Sequence, residues 1–268
     1  MLRASAACEV AGFPTTSLTC EGFVRQAAAT SIGLGLRNIP IALVPGHIGT
    51  KSPEELRRDI LETTLPDVIK TLTHADDSID QPLEARERDI IVRGSFTAVN
   101  RYFYRHGLTD GLPIVPPTND AVEKFLRFTD RDPSEVLGVM LPDKRSATVW
   151  NVAVNGVMAG CRPEYMPILI AIAEAMADPR YGVEHSGNTP GADTLIILNG
   201  PIVKVLDFNY TQGALRDGFM PNTSVGRFFR LYLRNVPGFH LHQTDKATFG
   251  NTWRVVLAEN DDVLQEVG

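Results

Sequence analysis

The sequence predicts an α/β protein: a small parallel-sheet βαβ unit followed by a larger α+β region. Three observations carry that prediction. Two short runs rich in β-branched or apolar residues, 13–19 and 39–44, are separated by a helix-compatible stretch, 21–34, the rhythm of a right-handed βαβ crossover. An acidic stretch without a strong period, 74–88, then interrupts the pattern and reads as a linker. From 89 to 268 the chain alternates apolar helical stretches with short strands and glycine- or proline-bearing turns.

In order, residues 2–11 are alanine-rich and predict a helix that Gly12 ends; 13–19 follows as the first strand, 21–34 as the crossover helix and 39–44 as the second strand, broken by Pro45-Gly46. Ser52-Pro53-Glu54-Glu55 combines a cap, a proline in the first turn and a glutamate three residues on, so a helix runs from there to about Thr73. The first domain is thus 1–73. After the 74–88 linker, Ile91, Phe96, Val99 and Phe103 are spaced for one face of a helix ending near Gly107. A turn and an extended stretch at 110–118 lead to a helix start at Thr118-Asn119-Asp120. Helices are expected over 147–160 and 163–177, interrupted at Gly160-Cys161-Arg162-Pro163. Strands are expected at 194–198 and 253–258, and a helix capped by Asn222-Thr223-Ser224 over 225–235.

Composition limits the function. The 268 residues carry a formal net charge of −6, with basic residues in short separated clusters such as Arg57-Arg58 and Lys144-Arg145, which argues against a nucleic-acid partner. No apolar run reaches the roughly 18 to 20 residues of a membrane span, and no apolar signal core with a cleavage site follows the amino terminus. Three scattered cysteines, Cys8, Cys20 and Cys161, fit free thiols in a reducing compartment rather than a disulfide framework or a four-thiolate zinc site. A cytoplasmic protein acting on a small molecule is the expectation.

Candidate chemistry lies in the loops. His47, in Val44-Pro45-Gly46-His47-Ile48-Gly49-Thr50, follows a buried strand at the edge where parallel sheets bind ligands, and is an acid/base candidate. A loop histidine hydrogen-bonded to backbone is the plain alternative. Cys161 stands at the junction of two predicted helices beside Arg162, where a helix amino terminus and a guanidinium both favour a thiolate; the alternative is a small buried hydrophobe. Asp110, Asn155, Arg162, His185, Asn188 and Asn199 are candidate substrate-binding groups. His240-Leu-His242 with Asp245 has metal-like spacing on a strand, but without a further ligand it reads as surface histidines, so no metal site is assigned. A metal ion is possible without being indicated, and the cofactor is unknown. Phosphate-loop, dinucleotide-fingerprint and GxSxG motifs are absent from the sequence.

Gly12-Phe-Pro14-Thr15-Thr16, Thr19-Cys20-Glu21-Gly22-Phe23, 39–47 and Ser52-Pro53-Glu54-Glu55 together resemble the latter half of the UGSC-type (seleno)protein domain. The stretches 110–118, 155–163, 199–201, 222–227 and 258–260 resemble the region that accompanies that domain in longer members. The resemblance implies thiol or selenol attack on a small substrate through a selenocysteine (or cysteine)-Gly-Ser-Cys motif. That motif does not occur in this sequence, and the resemblance places it ahead of the first helix. Two readings follow: a small partner subunit supplies the missing half, or the protein has lost the redox nucleophile and works differently. The first is favoured, because half of a doubly wound unit leaves a strand edge and an apolar helix face uncovered. The leading expectation is the large subunit of a thiol-dependent (redox or lyase-type) enzyme acting on a small organic molecule. The alternatives are a metal- or thiolate-assisted lyase or hydrolase working through this chain alone, and a non-catalytic scaffold subunit.

Overall fold

The computed structural model describes residues 2–33, 39–73, 88–142, 144–189, 191–192, 194–248, 250 and 255–267. The fold is α/β and divides into two compact units. Unit 1 comprises Met1–Glu84, Leu141–Lys144 and His240–Asp245; unit 2 comprises Ala85–Met140, Arg145–Phe239 and Lys246–Gly268. Of the expected linker, residues 74–87 lie outside the described residues. Among the described residues no helix is long and apolar enough to cross a membrane.

In unit 1, helix α1 (Leu2–Val10) leads to strand β1 (Ser17–Cys20), helix α2 (Val24–Gly33) and strand β2 (Ile41–Val44). The strands pair in parallel, from Ser17 opposite Ile41 to Cys20 opposite Val44, so α2 is the crossover of a βαβ unit. Alanines let the layers approach: Ala27 and Ala42 are buried. β1 starts later than its β-branched run, because the Glu9 carboxylate accepts from the Thr15 backbone N–H at 2.5 Å and its hydroxyl at 2.8 Å, tying that stretch to α1 instead.

Helix α3 (Pro53–Asp59) opens on the expected capping box: Ser52 Oγ accepts from the Glu55 N–H at 3.2 Å and Glu55 Oε2 accepts from the Ser52 N–H at 2.9 Å. It continues through one wide π turn, Ile60–Thr64, into α4 (Leu65–Thr73). The inner face of this long helix satisfies β2 directly. Thr64 Oγ1 donates to the Leu43 carbonyl at 2.8 Å, and Asp67 Oδ2 accepts from the Leu43 N–H at 3.2 Å. Its outer face leaves Leu61, Leu65, Ile69 and Leu72 exposed, an apolar ladder at helical spacing.

Unit 2 begins with an irregular segment, 88–94, and helix α5 (Phe96–Arg105). Ile91 therefore precedes the helix it was expected to join, because Ser95 caps α5 by accepting from the Ala98 N–H. Thr118 caps α6 (Asn119–Leu126) in the same way. An antiparallel pair, β3 (Val136–Met140) and β4 (Arg145–Thr148), follows. β4 occupies the start of the stretch expected as helix, and Thr148 ends the strand by capping α7 (Val149–Ala159). Gly160, in the left-handed region at φ 78°, stops α7 before α8 (Met166–Ala177). Gly156 is where α6, α7 and α8 meet: a Cβ there would lie 2.7 Å from Leu169 Cδ1 and 2.8 Å from Phe125 Cε1.

The rest of unit 2 is a parallel pair, β5 (Ile197–Leu198) with β6 (Leu257–Ala258), the short α9 (Ile202–Val205), the long α10 (Met220–Asn235) and α11 (Asp261–Val267). Both strands are shorter than their apolar runs, and residues 251–254 of the second lie outside the described set. Asn222 does not cap α10, which already begins at Met220. Its buried side chain instead accepts from the Asn209 N–H (2.8 Å) and donates to the carbonyls of Asn209 and Val256 (both 3.0 Å). One amide thus pins two loops to the helix.

Candidate functional site

The strongest site geometry lies within unit 2, in a cavity of about 810 Å³, within the range of small-molecule sites. Helix α5 contributes Phe96, Val99 and Phe103 to it. Helix α7 contributes Trp150, Asn151, Val154, Asn155 and Met158, positions one turn apart on one helical face. The turn ahead of α6, the end of α10 and the segment 88–94 complete the wall. Amides order its α7–α10 side: Asn235 Nδ2 donates to Asn155 Oδ1 at 2.8 Å, and Asn155 Nδ2 donates to the Asn151 carbonyl at 2.9 Å. Three guanidiniums, Arg88, Arg93 and Arg145, lie in the lining with one carboxylate, Asp89. The Arg88 guanidinium sits over the Trp150 ring, 4.6 Å from its centroid, a cation–π contact.

Of the sequence-predicted site residues, Asn155 alone is in that wall. Asp110 is turned to α10. Arg227 donates to both its carboxylate oxygens, at 3.1 and 3.0 Å, and Arg230 adds a bond of 3.1 Å. Burial raises the Asp110 pKa, but the hydrogen bond and charge of Arg227, with the charge of Arg230, outweigh it and leave the group below its ordinary value. Asp110 therefore holds its own turn against the helix, helped by Arg227 donating to the Pro113 carbonyl at 2.8 Å.

Cys161 is buried near the same arginine. Burial pushes its thiol up to about 12, against a hydrogen bond with Ser224 and the charge of Arg227. The thiolate character expected at this junction is thus outweighed by desolvation. The neighbouring Arg162 faces Glu164 at 3.5 Å and Asp207 at 3.9 Å and lies over the Tyr165 ring. His185, Asn188 and Asn199 are exposed. Asn188 Oδ1 closes its own turn by accepting from the Gly191 N–H at 3.0 Å, and Asn199 Nδ2 donates to Glu259 Oε2 at 3.2 Å.

His47 lies in unit 1 and is exposed. Its Nδ1 accepts from the Gly49 N–H at 3.1 Å, which caps the short 3₁₀ turn Ile48–Thr50, so the neutral ring carries its proton on Nε2. Glu21, just after Cys20, accepts from the Gly46 N–H at 3.2 Å. Cys20, Glu21 and the His47 loop therefore share the carboxyl-terminal edge of the strand pair. His240, His242 and Asp245 do not form a strand. His242 has φ 64°, and the His240 carbonyl accepts from the N–H groups of Gln243, Thr244 and Asp245 in a tight turn. Among the described residues no group of three His, Cys, Asp or Glu side chains could hold a metal ion.

Sequence reasoning missed Arg88, Arg93, Trp150, Asn151 and Asn235 as cavity residues. The helical spacing of Asn151 with Asn155, and of Trp150, Val154 and Met158, was the available signal; nothing local marked the arginines of an irregular segment.

Searches of curated proteins and of solved structures returned no match. The family model that matches is that of the UGSC family, over residues 1–74, the span that folds here into the βαβ unit and its long helix. That amino-terminal region is thus similar to the UGSC family.

Proposed function

We propose that this chain is the large, substrate-holding subunit of a thiol-dependent enzyme, redox or lyase-type, that acts on a small organic molecule, with a partner chain supplying the reactive thiol. The cavity of unit 2 carries this reading. Its wall is built from apolar side chains, amides and guanidiniums, groups that bind and orient a small molecule rather than attack it. The buried thiol of unit 2, Cys161, lies outside that wall and is held protonated. The similarity of residues 1–74 to the UGSC family supports the thiol or selenol chemistry. The exposed ladder Leu61, Leu65, Ile69 and Leu72 offers apolar surface of the kind that marks a protein contact.

The test is co-expression with the products of adjacent genes. Complex mass is measured by analytical ultracentrifugation, and turnover is screened over small organic substrates with a dithiol reductant. A stoichiometric complex that turns over substrate is expected. The double substitution Leu65→Glu with Ile69→Glu should dissociate it while leaving the circular dichroism of this chain unchanged. Full activity of the chain alone would replace this reading with catalysis by its own residues. Undiminished turnover after Val154→Trp, which fills the cavity, would leave the chain a scaffold.

A further inference from the structure

We infer that the unit 2 cavity takes an organic monoanion with an apolar body, its carboxylate held by Arg93 and the remainder lying along Val99, Trp150, Val154 and Met158. This rests on the proposed substrate-holding role and adds the class of substrate.

The charge of the wall is the first argument. The chain as a whole has net charge −6, yet the cavity lining holds three arginines against one aspartate. This is a local excess of positive charge within a negative chain, and low-dielectric walls focus such a field toward an anion. The arginines differ in what already answers them. Arg88 stacks on Trp150 and lowers the pKa of Asp132, so part of its field is spent within the protein. Arg145 is also engaged. Arg93 has no hydrogen bond or ion pair among the described residues, and a free guanidinium presents a planar fork that matches a carboxylate.

The second argument is the wall opposite in character. Val99, Trp150, Val154 and Met158, from α5 and α7, give an apolar surface with one aromatic ring. The Asn151 amide already donates to the Ser146 carbonyl of β4, and the Asn155 amide donates to the Asn151 carbonyl and accepts from Asn235 of α10, so they ask little of a ligand. Thr118 and Asn119 bring the amino-terminal end of α6 to the lining as well, and its partial positive charge adds to the preference for an anion. A single open guanidinium matches one carboxylate better than a polyanion, and an apolar remainder displaces water from the walls.

Titration calorimetry with 3-phenylpropionate and its neutral amide, 3-phenylpropanamide, tests this on the full chain. The acid should bind at least tenfold tighter than the amide, and its dissociation constant alone should rise with salt. Arg93→Met should weaken the acid about tenfold and leave the amide unchanged, while Arg93→Lys restores part of the difference. Val154→Trp should abolish both. Equal affinity for acid and amide, or an acid preference that survives Arg93→Met, would overturn the anion inference while leaving the cavity as a binding site. Absence of binding by both probes, or binding that survives Val154→Trp, would remove the substrate-holding reading and this inference with it. Arg93 is exposed, so its variants should melt with the parent; a variant that does not is replaced by Arg93→Gln.

Discussion

The Arg227 guanidinium grips both oxygens of the Asp110 carboxylate, across more than a hundred residues of chain, at 3.1 and 3.0 Å. This fork fixes where the turn at 110–113 meets α10, and so sets the path of the chain into the cavity residues Pro116 to Asn119. The Asp110 side chain is 7% exposed and that of Arg227 18%, so the pair is largely shielded from water, and loss of one member leaves a poorly compensated charge.

Asp110→Asn should accordingly destabilise unit 2 by about 3 kcal/mol, read as a lowered midpoint in urea. The pH dependence has a definite sign. The folded pKa of Asp110 is depressed, so its contribution is present above the ordinary aspartate value of about 4 and is lost as pH falls through the folded value. The variant should lack that acid-side loss. A midpoint equal to that of the parent at neutral pH would show the pair to be dispensable.

Cys161 should resist alkylation. With its thiol near 12, roughly one molecule in ten thousand carries the thiolate at pH 8, and exposed Cys8 should react far faster with iodoacetamide. Because the folded pKa lies above the ordinary value, the unfolded chain releases this proton first. The contribution therefore holds below about 9 and is lost as pH rises toward 12. Labelling of Cys161 at the rate of Cys8 in native buffer would contradict the burial.

Gly156→Ala pits two effects against each other. Alanine in a helix interior gains about 1 kcal/mol over glycine, but the new methyl would stand 2.7 Å from Leu169 and 2.8 Å from Phe125, and overpacking costs about 1 to 3 kcal/mol. A net loss of about 1 kcal/mol is expected, with a larger loss for Gly156→Val. A more stable alanine variant would mean that α6 and α8 move apart freely.

His47→Ala removes one exposed hydrogen bond to Gly49 and should change stability by only about half a kcal/mol. His47→Asn should retain much of the cap. If His47 is also an acid or base, the alanine variant should lose roughly a hundredfold or more in turnover at unchanged melting temperature. A drop in melting temperature that accounts for the lost activity would make the residue structural.

The sequence made the βαβ unit readable because its signals are local: Gly12 ends α1, Ser52 and Glu55 form a capping box, and the strand Ile41–Val44 is apolar throughout. It concealed β3 and β4, since Val136–Met140 and Arg145–Thr148 lack an alternating pattern and their pairing carries a register shift between Val136 and Gly138. Asn222 resembled a helix cap because its residue type suits one; its actual partners, Asn209 and Val256, lie 13 and 34 positions away. The site was least legible. Asn155 is marked by its place on α7, but the guanidinium of Arg93 gains meaning only once a cavity is seen beside it.

The bonds from Thr64 and Asp67 to Leu43 also decide in which direction the small sheet of unit 1 can grow. Leu43 offers β2's outward peptide groups, and both are already occupied by side chains of the long helix, so no incoming strand can dock at that margin without first stripping them away. Growth is one-sided: a third strand has to lie along β1, beside Leu18, which is 56% exposed. Any chain that extends this sheet is thereby told its lane before it arrives.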